Sequence, residues 1–133
     1  AEKYENTYSI LGDLTFLHDI SALVNKSKQN IRIYVIDNNG GGIFSTLPQA
    51  KVEGFEELFG TPHNLDLVKL AQGFGASVSK VSNLAELQSA IAKPLLGLDI
   101  VIVQTPNRER NAEQLAELTH KVSNAVRIGI NLA

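Results

Sequence analysis

The sequence predicts an α/β fold, an open and mainly parallel sheet with helices on both faces. Three observations carry that expectation. Short apolar runs alternate with amphipathic stretches along the chain, the order expected of βαβ units. The central runs are β-branched and almost wholly apolar, as suits strands covered on both faces of a parallel sheet. Two segments rich in turn formers follow strands, which places them at the carboxyl ends where such sheets bind ligands.

Taken in order, Tyr8-Ser9-Ile10-Leu11 is a short apolar run that stops at Gly12-Asp13 and reads as a buried strand. Phe16, Leu17, Ile20, Leu23 and Val24 recur at three- and four-residue steps, a helical pattern. Lys26, Lys28 and Gln29 close it, as suits a helix C-terminus. Ile31 to Ile36 reads as a central parallel strand. Asp37-Asn38-Asn39-Gly40-Gly41-Gly42 consists of turn formers and must be loop. Phe55, Leu58 and Phe59 suggest a helical turn before Gly60. Asn64 can cap a helix carrying Leu65, Val68, Leu70 and Ala71, which Gly73 and Gly75 end. Ala76 to Val81 alternates as a strand. Asn83 caps the next helix, whose Leu84, Leu87, Ala90 and Ile91 make one apolar face, with Pro94 just beyond its end. Asp99-Ile100-Val101-Ile102-Val103 is another buried strand. Glu113 to Ala125 forms a last amphipathic helix with Leu115, Leu118 and Val122 turned inward.

The 133 residues suffice for a single domain with one core. A net charge of −2, with Lys and Arg scattered among acidic residues, offers no basic field for nucleic acid. No apolar run approaches the roughly 20 residues that span a bilayer, and no signal peptide is visible. There is no cysteine, so disulfides and thiolate metal sites are excluded; a cytoplasmic location fits.

Two loops carry the chemistry. In Gly12-Asp13-Leu14-Thr15 the glycine lets backbone and ligand approach closely. The helix that follows presents free N–H groups and a positive dipole end, a site for phosphate. Asp13 would repel phosphate unless a divalent cation lay between them. Alternatively Asp13 is an N-cap and no more. The second loop, Asp37 to Phe44, lies one helix and one strand later, so the crossover brings it beside the first. Asn38 offers a neutral amide oxygen, and a glycine two residues on can offer its carbonyl. With a carboxylate and diphosphate oxygens, these make the all-oxygen shell that Mg²⁺ prefers.

The text Gly12-Asp13-Leu14-Thr15-Phe16-Leu17-His18-Asp19, the stretch from Asn38 to Pro48 and Phe59-Gly60-Thr61-Pro62-His63 resemble the thiamine-diphosphate enzymes. Those enzymes share a motif that opens on Gly-Asp-Gly and closes on Asn-Asn. Leu14 departs from the third glycine but is similar to the variant in the synthase family of menaquinone biosynthesis, and Gly-Gly-Gly-Ile-Phe-Ser-Thr-Leu-Pro strengthens that match. The resemblance implies a thiamine-diphosphate-binding fold. It implies Mg²⁺ (or Mn²⁺) held by Asp13, Asn38 and the Gly40 carbonyl, with Asn38 favoured over Asn39 by alignment on Ile43-Phe44. It also implies thiamine diphosphate lined by Gly12, Asp13, Leu14, Thr15, Asn38, Gly40, Gly41 and Ile43, and a substrate side formed by Phe44 and Leu47. Further implications are decarboxylation of 2-oxoglutarate and addition to isochorismate, a pyrimidine-binding domain from the same or a second subunit that carries the activating glutamate, and a homo-oligomeric full-length protein. No catalytic residue is then expected in residues 1–133, which would be the diphosphate-binding domain of a longer chain, inactive alone.

Other signals weigh less. His18 and Asp19 are neighbours on an expected helix and do not face one another. His63 approaches the mouth of the site or serves as a surface or capping residue. Arg108, in Asn107-Arg108-Glu109-Arg110, suits a solvated loop better than a carboxylate fork. The competing functions are another thiamine-diphosphate enzyme, of acetolactate synthase or 2-oxoacid decarboxylase type, and a non-enzymatic flavodoxin-like binding module. Leu14 with Ile43-Phe44 argues against the first, and the pairing of Asp13 with Asn38 against the second.

Overall fold

Branched aliphatic residues build four strands in the computed structural model, which describes residues 5–24, 30–47 and 52–131. These are β1 (Asn6–Gly12), β2 (Asn30–Asp37), β3 (Ser77–Val81) and β4 (Leu98–Gln104). They pair in the order β1-β2-β4-β3, every pair parallel. Gly12 is level with Ile36, and Asp37 with Gln104, so the loops after β1 and β2 leave the same edge side by side. That is the open parallel α/β sheet the sequence predicts.

One face of the sheet carries the main core. Val35, Ile100 and Ile102 meet Phe16, Leu23, Leu67 and Ala71, all buried. The helices responsible are α1 (Asp13–His18), a 3-10 helix (Ile20–Val24) and α2 (Leu67–Gly73). The helix expected over residues 16–24 is therefore two pieces that break at Asp19, whose N–H bonds the Thr15 carbonyl. Phe16 and Leu23 still reach the core across the break, whereas Val24 is exposed. Lys26, Lys28 and Gln29, expected to close this helix, lie outside the described residues, as does Pro48.

The other face is covered in part. The helix α3 (Leu84–Ala92) packs on β3 and is capped by Asn83, whose side chain accepts from the Glu86 N–H. Its Leu87 and Ile91 border an open apolar groove with Tyr8, Ile10, Tyr34, Ile36 and Val103. Tyr8 and Ile10 are exposed, so β1 is an edge strand with one bare face rather than a buried one. The final helix α4 (Arg108–Asn131) is longer than expected and packs against the 3-10 helix Gly42–Thr46 instead of a strand. Leu115, Leu118 and Val122 are consequently exposed, not inward. The cap of α2 also differs. Asp66, not Asn64, accepts the N–H of Lys69, because Asn64 takes a left-handed φ of 51° and Leu65 stays outside the helix.

One feature of the strands was not anticipated. Arg32 and Asp99, adjacent in the β2–β4 register, are both buried and pair at 2.5 Å. Arg32 also donates to the carbonyls of Ala90, Ile91, Lys93 and Pro94, giving partners to carbonyls in the last turn of α3 and just beyond it. Burial acts to lower the Arg32 pKa, but the hydrogen bonds and charge of Asp99 and Tyr34 outweigh it and hold the group above its ordinary value.

Candidate functional site

Gly12 ends β1 and is the N-cap of α1, with no side chain capping the helix. Asp13 is therefore the first helical residue rather than the cap, and it is buried. Three groups meet its carboxylate. Oδ1 accepts the Leu14 N–H at 2.7 Å, and Oδ2 accepts the Gly40 N–H at 2.8 Å. The third is His63, whose Nε2 lies 3.3 Å from Oδ2. The two sequence-distant loops thus meet on a single buried carboxylate.

The second loop is shaped by asparagine, glycine and one arginine. The Asp37 carboxylate accepts the Asn39 N–H at 3.1 Å, an Asx turn that starts the reversal. Asn39 adopts a left-handed φ of 62° and commits its amide to Asn64 in two bonds, 2.9 and 2.8 Å. Asn38 is different. Its Oδ1 is buried and has no hydrogen-bond partner among the described residues, an acceptor that costs free energy unless something meets it. Gly40, at φ 129°, has no room for a side chain: a Cβ would collide with the Arg108 guanidinium and the Gly60 carbonyl. At Gly42 a Cβ would strike the Asn38 amide. The Gly40 carbonyl accepts the Gly42 N–H at 2.9 Å and no second hydrogen bond among the described residues, which leaves a lone pair there.

Arg108 is buried and central. Its guanidinium donates to the Gly60 carbonyl at 2.7 Å and, in shorter contacts, to the Asn39 carbonyl and the Glu56 carboxylate. Gly60 ends a π-helical turn (Glu56–Gly60) and its carbonyl also accepts the Gly41 N–H at 2.8 Å. The solvated loop expected around Arg108 is instead a clamp, since three acceptors from two separate loops converge where α4 begins. No local pattern in Asn107-Arg108-Glu109-Arg110 announces that convergence.

The remaining expected residues are more open. Leu14, Thr15, Ile43, Phe44 and Leu47 are exposed. Phe44 leans on Phe59 with ring centroids 6.0 Å apart, and Phe59 stacks on Phe55 at 5.5 Å. Ile43, at 74% exposure, is more open than Leu14, Phe44 or Leu47. His18 pairs with Asp19 at 3.2 Å, both exposed, because Asp19 lies past the helix end. His120, on α4, is exposed and bonds Asn124.

The donor chemistry suits a hard divalent cation: a buried carboxylate, an unpartnered amide oxygen and a free carbonyl lone pair at one sheet edge. Sequence comparison identifies the family. A family model described as "Thiamine pyrophosphate enzyme, C-terminal TPP binding domain" matches residues 1–105. A 2-succinyl-5-enolpyruvyl-6-hydroxy-3-cyclohexene-1-carboxylate synthase of Listeria monocytogenes is 38% identical over 129 residues, 93% of this chain and 22% of that protein. Synthases of the same name from Nocardioides sp. and Bacillus cytotoxicus are 36% and 40% identical over 83% and 78% of the chain, and 22% and 18% of their own lengths. The chain spans about a fifth of the length of the curated relatives it matches. By the extent of the family match, the chain belongs to the thiamine pyrophosphate enzymes, as their C-terminal TPP-binding domain.

Proposed function

We propose that this chain is the domain that holds the diphosphate and Mg²⁺ in a 2-succinyl-5-enolpyruvyl-6-hydroxy-3-cyclohexene-1-carboxylate synthase. The full-length protein would decarboxylate 2-oxoglutarate and add the succinyl unit to isochorismate, in the cytoplasm, as a homo-oligomer. The observation that carries the site is the buried, unpartnered Asn38 Oδ1 in the loop that Asp13 anchors. Asp13, Asn38 and the Gly40 carbonyl would hold Mg²⁺ or Mn²⁺. Gly12, Leu14, Thr15, Gly41 and Ile43 would line the cofactor, and Phe44 and Leu47 would face substrate.

Thiamine diphosphate, when bound, supplies the electron sink that stabilises the carbanion. The roles of the chain's own residues are electrostatic and positional. Asp13 would supply the single anion among the three ligands. The glycines, having no Cβ, would let backbone approach the diphosphate closely. Exposed Leu14, Ile43 and Phe44 form an apolar margin around the polar centre, available to a second domain. That second, pyrimidine-binding domain would bring the activating glutamate.

The test is calorimetric titration of thiamine diphosphate with Mg²⁺ into the full-length protein and its Asp13→Ala variant. We expect Asp13→Ala to lose measurable cofactor binding while remaining folded. Wild-type cofactor affinity in that variant overturns the metal assignment. The isolated 133-residue chain should give no product from 2-oxoglutarate and isochorismate, and turnover by it would refute the account of a second domain.

A further inference from the structure

Among the described residues, Asp13, Asp37 and His63 form a cluster whose potential ligand atoms lie within 4.8 Å of one another. Such a cluster invites a mixed nitrogen–oxygen metal site, but the hydrogen bonding argues otherwise. The backbone N–H of Leu65 donates to His63 Nδ1 at 3.0 Å, so Nδ1 bears the lone pair. The proton of the neutral ring is then on Nε2. Nε2 faces Asp13 Oδ2 at 3.3 Å and Asp37 Oδ1 at 3.8 Å, as a donor facing two acceptors. For Nε2 to bind a metal, the proton would have to move to Nδ1 and oppose the Leu65 N–H. The imidazole side chain is 8% exposed, which leaves the ring little freedom to turn away.

Resting on the function proposed above, we propose that His63 is a positioning residue and not a metal ligand. It donates from Nε2 to Asp13 and, with the Gly40 N–H on the same oxygen, fixes the plane in which the carboxylate is presented to the ion. Backbone sets its tautomer, since the left-handed turns at Thr61 and Asn64 bring the Leu65 N–H back onto the ring. The metal therefore meets only oxygen donors from this chain, which favours Mg²⁺ and Mn²⁺ over softer ions. Partners of this kind orient ligating groups and typically govern metal affinity by about 10- to 100-fold.

The experiment uses the full-length protein that carries this domain. Mg²⁺ affinity in the presence of thiamine diphosphate is measured calorimetrically for wild type, His63→Ala and His63→Gln. We expect His63→Ala to weaken Mg²⁺ by about 10-fold or more and His63→Gln to recover most of that loss, because the Gln amide can donate from near the Nε2 position. In parallel, wild-type protein labelled with ¹⁵N-histidine is loaded with Mn²⁺ and examined by pulsed electron paramagnetic resonance. Absence of a coupling of directly bound strength is the expected result. A directly bound ¹⁵N makes His63 a ligand and overturns the proposal. So does wild-type affinity in His63→Ala, or failure of His63→Gln to recover any of the loss. Asp13→Ala separates the two levels. If it keeps wild-type Mg²⁺ affinity, the metal site itself is misassigned. If it loses the ion while His63→Ala does not, only the role of His63 fails. Should His63→Ala not fold, the Gln variant and the spectrum decide.

Discussion

Arg32 lies at the amino end of β2 and Arg108 just beyond the carboxyl end of β4, both buried. Arg32 joins regular structure to regular structure: a strand partner, Asp99, and the last carbonyls of α3. Arg108 joins loop to loop, through the carbonyls of Asn39 and Gly60 and the carboxylate of Glu56. At the amino edge, a charge is consumed in closing a helix onto the sheet. At the carboxyl edge it supports backbone that follows no ladder, where Asn38 Oδ1 and the second lone pair of Gly40 have no partner among the described residues. The same side chain type thus ties helix to sheet in one place and, in the other, holds together the loop proposed to bind the ion.

The contrast can be broken at its strongest point first. Arg32→Leu leaves Asp99 buried without its partner, and we expect about 3–5 kcal/mol of destabilisation by urea unfolding. Replacing both with leucine should recover most of that, with Mg²⁺-dependent cofactor affinity near wild type throughout. A cofactor defect in a well-folded double variant would erase the distinction between the two ends.

Arg108→Ala should cost less stability, about 1–3 kcal/mol for the hydrogen bonds left unmade, and yet weaken cofactor binding. If the variant keeps wild-type affinity in calorimetry, the loop holds its shape without the clamp. Phe44→Ala sharpens the picture within the loop. It leans on Phe59 and is not one of the three proposed metal ligands, so cofactor affinity should hold while substrate KM rises in steady-state kinetics. Loss of cofactor with unchanged substrate constants would place Phe44 on the wrong side of the site.

The smallest effect concerns helix starts remote from both arginines. The Lys69 backbone N–H lowers the pKa of the Asp66 carboxyl. The Ser82 backbone N–H and then its hydroxyl do the same for Glu86. Both groups are depressed in the folded state, so their contribution is present above the unfolded pKa and is lost as pH falls through the folded one. Urea midpoints should therefore hold from neutral pH to about pH 4 and drop below it. The drop should shrink in Asp66→Asn and Glu86→Gln, and a drop that persists unchanged would assign it to other carboxylates.

Local chemistry explains which parts of this were legible in the sequence. The strands were, because β-branched runs report burial directly, and so was Asn83, because its cap is completed by the N–H of Glu86 three residues on. The pair Arg32–Asp99 was not: its members are 67 residues apart and each alone reads as an incidental charge. The break at Asp19 lies inside an unbroken apolar period, which registers a face but not helical continuity. The stripe on α4 has the same defect, since periodicity names Leu115, Leu118 and Val122 without naming what they meet. That the Asp13 loop and the Asn38–Gly40 loop meet was readable from the βαβ order and spacing. The approach of His63 to Asp13 was hidden because it depends on left-handed backbone at Thr61 and Asn64, where no glycine marks the turn.

Asn39 followed by Gly40 bears on the chemical ageing of the protein. In a free chain such a pair loses its side-chain amide readily: the glycine nitrogen attacks the asparagine carbonyl carbon, ammonia leaves, and a succinimide closes that later opens to aspartate or isoaspartate. In the folded loop both reactants are occupied. The Gly40 nitrogen donates to the Asp13 carboxylate at 2.8 Å, and the Asn39 amide is held by Asn64 through two bonds. Intact loops should therefore resist deamidation, and the damage should accumulate in molecules that have opened or that lack Asp13. An isoaspartate at position 39 would add a methylene to the backbone and a negative charge beside Asn38, so each aged molecule carries a permanent record of time spent with this loop undone.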